Sequence, residues 1–129
     1  MKCGEIASRP VITVTPDTPL EKAVELMADY DVGILVLVDK ENPKRVVGVL
    51  SERDIVRSLA GKAPLTVPVE KLATTHSIIY VYADDPIEVA AEKMMKYGIR
   101  HVVVVDKEGG LHGVISIRDV LKRIGGLRK

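Results

Sequence analysis

The chain has 129 residues, 47% of them hydrophobic but only 3% aromatic, with four Tyr and neither Phe nor Trp. That is one domain's worth of protein, or two small domains that need each other, around an aliphatic core. Lys and Arg number 19 against 18 Asp and Glu, a formal charge of +1, so the chain lacks both the field and the stacking platforms of a general nucleic-acid binder.

From the N-terminus, Met1-Lys2-Cys3-Gly4-Glu5 is followed by no long apolar stretch and does not read as a signal peptide. Cys3 is the sole cysteine, so no intramolecular disulfide forms, which suits a reducing cytosol. The longest apolar run, from Gly33 to Val38, is strand-sized. No membrane span is therefore expected, and the expected location is the cytoplasm.

A β-rich run at Val11-Ile12-Thr13-Val14 opens the pattern. Thr18, Pro19 and Glu21 then predict a helix start, with Thr18 as N-cap, Pro19 at N1 and Glu21 at N3. Leu20, Ala23, Val24 and Met27 follow on one helical stripe, where methionine fills core space. Residues 34–38 are a continuous apolar strand, which implies burial on both faces. A turn containing Asn42-Pro43 leads to a partner strand over 46–50, and a helix runs from Ser51 to about Ala60. A connector over 61–77 holds Pro64 and Pro68 and a short helix around residues 69–73.

The pattern then repeats. Ile78-Ile79-Tyr80-Val81 is the β-rich run, and Asp85, Pro86 and Glu88 give the same helix start. Ile87, Ala90, Ala91 and Met94 form the stripe, and strands over 102–105 and 111–115 flank a turn with Gly109-Gly110. The last helix runs from Ser116 to about Ile124. Pro19 lies over Pro86 at a spacing of 67 residues, which also places Met27 over Met94 and Tyr30 over Tyr97. After the turn the spacing drops to 65, with Gly48 over Gly113 and Asp54 over Asp119, a shift that a loop tolerates.

The expected fold is α/β (α+β): two β-α-β-β-α repeats, packed sheet to sheet with pseudo-twofold symmetry, because a three-stranded unit has one apolar face too many to stand alone. The expected organisation is repeat 1 over 1–62 (core about 6–60), a connector over 63–77, and repeat 2 over 78–129 (core about 78–124). Clefts at the seam are natural small-molecule sites.

The chemistry lies in the turns Gly48-Val-Leu-Ser51-Glu-Arg-Asp54 and Gly113-Val-Ile-Ser116-Ile-Arg-Asp119. Each Ser ends a strand as N-cap of the next helix, with Asp at N3, and a capping box is a sufficient explanation for either copy alone. A helix N-terminus also attracts a phosphate through free N–H groups and its dipole, the Ser hydroxyl adds a donor, and an Asp can hold two vicinal hydroxyls of a ribose. Arg53 and Arg118 add positive charge beside each Asp, and the strand-end Gly permits close backbone approach. Repetition of Gly and Arg, which a cap does not need, favours ligand binding.

The β-α-β-β-α order, the segment Tyr97-Gly98-Ile99-Arg100-His101-Val-Val-Val-Val-Asp106 and both turns resemble the CBS domain, and the chain from about Ile6 to Ile124 resembles a stand-alone tandem CBS pair, or Bateman module. The resemblance implies regulatory binding of AMP, ADP or ATP, or of S-adenosylmethionine, in the inter-repeat clefts. It gives Asp54 and Asp119 the ribose and Ser51 and Ser116 the phosphates, with Arg100 and His101 as further phosphate contacts. Backbone at Ile12, Thr13 and Val14, and at Ile79, Tyr80 and Val81, would line the adenine pocket. It also implies a flat homodimer, with no cofactor beyond the regulatory nucleotide, and with no effector domain read in the sequence the module is expected to act on a separate effector protein. One departure stands out: where the second copy has Arg100-His101, the first has Gly33-Ile34, so the two sites should differ in phosphate affinity.

Catalysis is not expected, and neither is a metal, because His76, His101 and His112 fall in separate segments without ligand spacing. The rival readings are a structural dimerisation module with vacant clefts and a nucleic-acid-binding regulator. The latter would have to use the module itself, since no helix-turn-helix or basic arm is left over.

Overall fold

The computed structural model describes residues 1–123; the expected helix end at Ile124 lies outside them. Contacts divide the chain into two compact units. One is Ile12–Ile78, here the first unit, and the other joins Met1–Val11 to the chain from Ile79 onward, here the second unit. Each is a mixed α/β layer with a three-stranded sheet.

In the first unit, β1 (Thr13–Val14) runs parallel to β2 (Ile34–Val38), which pairs antiparallel with β3 (Val46–Ser51). α2 (Leu20–Tyr30) makes the crossover that a parallel pair requires, and α3 (Glu52–Ala60) follows β3. The second unit repeats this with β4 (Tyr80–Tyr82), α4 (Ile87–Tyr97), β5 (His101–Val105), β6 (Leu111–Ser116) and α5 (Ile117–Arg123). Both sheets carry an irregularity at the same place, Leu37/Val38 and Val104/Val105.

The cores match position by position. Val14, Leu20, Ala23, Met27, Leu35, Leu37, Leu50, Ile55 and Val69 fill the first, and Val81, Ile87, Ala90, Met94, Val102, Val104, Ile115, Val120 and Cys3 the second. Burial of each large member contributes about 1.5–3 kcal/mol. The continuous strands are buried on both faces as their runs predict: Val36 and Val38 alternate with Leu35 and Leu37, and all four are buried. Val24 departs from its expected stripe and stands 37% exposed, so the apolar seam of α2 is narrower than the four-residue pattern.

Cys3 and Val69 are equivalent because an opening segment closes each unit. In the first unit the connector's Val69 and Glu70 amides donate to the carbonyls of Thr18 and Pro16, and Thr74 bridges Val49. In the second, α1 (Cys3–Ile6) sits in that place: Cys3 and Gly4 donate to Asp85 and Ala83, and Ser8 bridges Val114. The helix expected around residues 69–73 is a 3-10 turn at Val69–Lys71.

The helix starts also differ from the sequence pattern. Thr18 and Asp85 do not cap α2 and α4; their side chains accept from the amides of Thr15 (3.2 Å) and Tyr82 (2.8 Å), closing the preceding turns. Pro19 and Pro86 have extended ψ values of 150° and 152° and are themselves the N-cap residues, without a side chain able to cap. The opening segments supply the missing acceptors. Leu20 donates to Val67 (2.9 Å), Glu21 to Leu65 (2.9 Å) and Ile87 to Met1 (3.0 Å).

Candidate functional site

Each Ser-x-x-Asp turn is set where a strand becomes a helix. Ser51 is the N-cap of α3 with extended backbone (φ −99°, ψ 165°). Its Oγ accepts from the Asp54 amide (3.2 Å), and Asp54 Oδ2 accepts from the Ser51 amide (2.9 Å) and hydroxyl (3.0 Å). At the second turn, Ser116 Oγ accepts from the Asp119 amide (3.1 Å) and Asp119 Oδ2 from the Ser116 amide (2.8 Å). Capping boxes are thus formed in both copies. They use one carboxylate oxygen, Oδ2, of an acceptor with two, so a cap and a ribose contact are compatible on the same Asp.

The amides are more committed than the sequence suggests. Glu52 donates to the Gly33 carbonyl (3.1 Å) and Ile117 to Arg100 (2.8 Å), while Asp54 and Asp119 donate to their Ser. Of the first three amides in each helix, those of Arg53 and Arg118 remain to meet an anion.

Register gathers the other predicted residues unit by unit. In the second, His101 is the cross-strand partner of Ser116, and the Arg100 carbonyl is tied to the turn, so Arg100, His101, Ser116, Arg118 and Asp119 come together. In the first, Ile34 partners Ser51, and the group is Ser51, Arg53 and Asp54 with Gly33 and Ile34 beside them. Arg53, Arg100 and Arg118 are exposed, and the two Ser, the two Asp and His101 are half-buried.

The expected base-lining residues lie across the sheet from the turns: β2 separates β1 from β3, and β5 separates β4 from β6, roughly 10 Å in each case. Val14 and Val81 turn their side chains into the cores, and Ile12 and Ile79 pack against those cores. Thr13 and Tyr80 are exposed.

The strand glycines have a structural cause. A Cβ on Gly113 would meet Ala7 Cβ at 2.8 Å and the Ser8 carbonyl at 2.9 Å; one on Gly48 would meet the Thr74 carbonyl at 3.1 Å. Glycine is required where the opening segment crosses the last strand, which removes it as an argument for ligand approach.

Sequence reasoning passed over the opening segments, although Ile6-Ala7-Ser8 lies over Leu72-Ala73-Thr74 at a spacing of 66 residues. His112, weighed in the sequence only as a metal ligand, has its Nε2 3.3 Å from the Gly4 carbonyl. The Cys3 thiol is pushed up, first by desolvation and then by Asp85, and donates to the Pro86 carbonyl (3.5 Å). Among the described residues no group of three or more His, Cys, Asp or Glu gathers to hold a metal ion, and no helix is long and apolar enough to cross a membrane.

The CBS domain family model matches residues 3–61 and again 69–126. Among solved structures, the chain is 42% identical to a CBS domain protein from Pyrobaculum aerophilum complexed with AMP, covering 92% of this chain and 89% of that one, with a TM-score of 0.88. It is 27% identical to a CBS domain pair in complex with 5′-methylthioadenosine and S-adenosyl-L-methionine, covering 98% and 97% of the two chains, with a TM-score of 0.87. It is also 32% identical to the inosine-5′-monophosphate dehydrogenase of Aquifex aeolicus over 87% of its own length, and spans 22% of that enzyme.

Proposed function

The chain belongs to the CBS-domain family, as two copies in tandem, and on that premise we propose that it is a regulatory module that binds an adenine nucleotide (AMP, ADP or ATP) and signals to a separate effector protein. The observation that carries this reading is the 42% identity, over 92% of the chain, to a protein complexed with AMP. The duplicated turn supports it from within, because each half-buried Asp keeps a carboxylate oxygen outside its cap.

In this reading Asp54 and Asp119 hold ribose hydroxyls. Ser51 and Ser116, the amides and side chains of Arg53 and Arg118, and Arg100 with His101 meet phosphate. Backbone at Ile12, Thr13 and Val14 and at Ile79, Tyr80 and Val81 flanks the base. The module has no catalytic role of its own and works in the cytoplasm as a homodimer. Apolar side chains left on helix surfaces, such as Val56 and Leu59 on α3 and Met95 on α4, suit such pairing.

Isothermal titration with AMP, ADP, ATP and S-adenosylmethionine, on the wild type and on Asp54→Ala and Asp119→Ala, tests the reading. A micromolar site corresponds to about −8 kcal/mol, and loss of a charged hydrogen-bonding partner weakens AMP about tenfold or more. Absence of heat with every ligand, at folded and ligand-free protein, would sink the nucleotide reading; full binding by both variants would sink the residue assignment. S-adenosylmethionine is the second reading, favoured by the pair structure that holds it with 5′-methylthioadenosine. Heat with it alone would select that reading.

A further inference from the structure

The edge strand of the second unit departs from its counterpart in a way that bears on which base it reads. Tyr80 and Tyr82 alternate with the core residue Val81 on β4, their ring centroids 5.5 Å apart and their planes at 85°. They remain 40% and 44% exposed in a chain with only four aromatic residues. Tyr80 pairs with Val103, which lies two residues along β5 from His101 and so on the same face, and His101 pairs with Ser116. Tyr80, Tyr82, His101 and Ser116 therefore share one face of the sheet, opposite the face that Val81, Val102, Val104 and Ile115 bury in the core.

Lys93 on α4 completes this edge. Its ammonium donates to the Tyr80 carbonyl at 2.7 Å and lies 5.6 Å from the Tyr80 ring centroid. A hydrogen bond to Tyr80, and then the charge of that neighbour, push the Tyr82 phenol above its usual value. At the spacing of 67 residues the first unit has Thr13, Thr15 and Leu26 instead. There the Ile12 carbonyl bonds inward to Val36, so by alternation the Thr13 carbonyl points outward, with no ammonium donor at Leu26.

The two edges thus offer opposite chemistry to a flat ring. The first presents a backbone acceptor, which suits the exocyclic amine of a 6-aminopurine. In the second, that acceptor is taken by an ammonium with two further N–H donors, beside two perpendicular tyrosine rings, one of which can stack on a base. We propose that the Tyr80–Tyr82–Lys93 edge of the second unit reads a 6-oxopurine ribonucleotide, with hypoxanthine or guanine as base, and that Lys93 is the residue that sets this choice against adenine. The inference rests on the nucleotide reading above and gives the two units different bases to sense.

Tyrosine emission tests it in the full-length chain. Replacing the exposed Tyr30 and Tyr97 by Phe leaves Tyr80 and Tyr82 as the emitters, since the sequence has no Trp. Titration with inosine 5′-monophosphate should quench at about tenfold lower concentration than AMP, the value of one hydrogen bond to a charged donor. Ribose 5-phosphate, which lacks a base, should not quench. Lys93→Leu, which installs the residue tolerated at the matching position, should erase the difference while circular dichroism stays unchanged. AMP quenching at equal or lower concentration in the wild type, quenching by ribose 5-phosphate, or a preference that survives Lys93→Leu would each overturn the proposal. Calorimetric binding of nucleotides with Tyr80 and Tyr82 emission unchanged would overturn it and leave the nucleotide reading standing; absence of heat with any nucleotide would remove both.

Discussion

The first and second units are the same object built twice, with differences in residue type but not in plan. Nine core positions correspond one to one, from Val14 and Val81 to Val69 and Cys3. Both turns form the same capping bonds, and both last strands are crossed by an opening segment at a glycine. Differences also reach the outward sheet face and the turn, where Thr13, Thr15, Gly33 and Ile34 hold the places that Tyr80, Tyr82, Arg100 and His101 hold in the second unit. The core keeps apolar character at each matched position, while the outward positions change chemical class.

The largest expected break in this likeness comes from the glycines. Gly113→Ala puts a methyl 2.8 Å from Ala7 Cβ and should cost about 3 kcal/mol, roughly 10 °C in melting temperature. Gly48→Ala, at 3.1 Å from a carbonyl, should cost nearer 1 kcal/mol. Thermal and denaturant melts of the two variants check the order, and equal losses would refute the tighter crossing in the second unit.

The turns come next, where cap and ligand roles separate by chemistry. Asp54→Ala and Asp119→Ala should each cost about 1 kcal/mol of stability as lost caps. Asn at either position keeps an oxygen that can accept from the Ser amide, so stability should return to within about 0.5 kcal/mol. AMP binding should stay weak in the Asn variants, because the charge on the ribose contact is gone; melts paired with titration calorimetry measure the two effects separately.

Cys3→Val places in the second core the residue that the first already uses, and near neutral pH it should change stability by less than about 1.5 kcal/mol. The two proteins should part at alkaline pH. Because the folded thiol is raised, its contribution is complete below the unfolded value of about 8.5 and is lost as pH rises through the folded value. Wild-type melting temperature should therefore fall from about pH 8.5 upward more steeply than that of Cys3→Val.

The smallest change concerns helix ends. Asp31 caps α2 in the left-handed region at φ 52°, where α4 has Gly98 at φ 64°. Asp31→Gly should stabilise by roughly 0.5 kcal/mol and Gly98→Asp should lose about as much, read from denaturant midpoints.

Periodicity and self-similarity made the strands, the helical stripes and the Ser-x-x-Asp caps legible, because those are local patterns with near neighbours. The opening segments were not, since Cys3 bonds to Asp85 and Ser8 to Val114 across most of the chain. The same distance misled the reading of Gly48 and Gly113, whose cause is a crossing segment, and of Thr18 and Asp85, whose helices are capped from Val67 and Met1. At the candidate site, residue types were legible, while the number of amides already committed required the backbone partners at Gly33 and Arg100.

The exchange of opening segments has a consequence for synthesis. As the chain emerges, Ile12–Ile78 holds all of its own parts and can complete its core before the rest of the second unit is made. Met1–Val11 has no such place to go. Cys3 and Ile6 must stay uncovered until Val81, Ile87 and Val114 have followed, so a segment made before the first unit finds its position only after that unit is complete. A translational pause between Ile78 and Val114 should lengthen the interval in which that leading segment is exposed to chaperones and proteases.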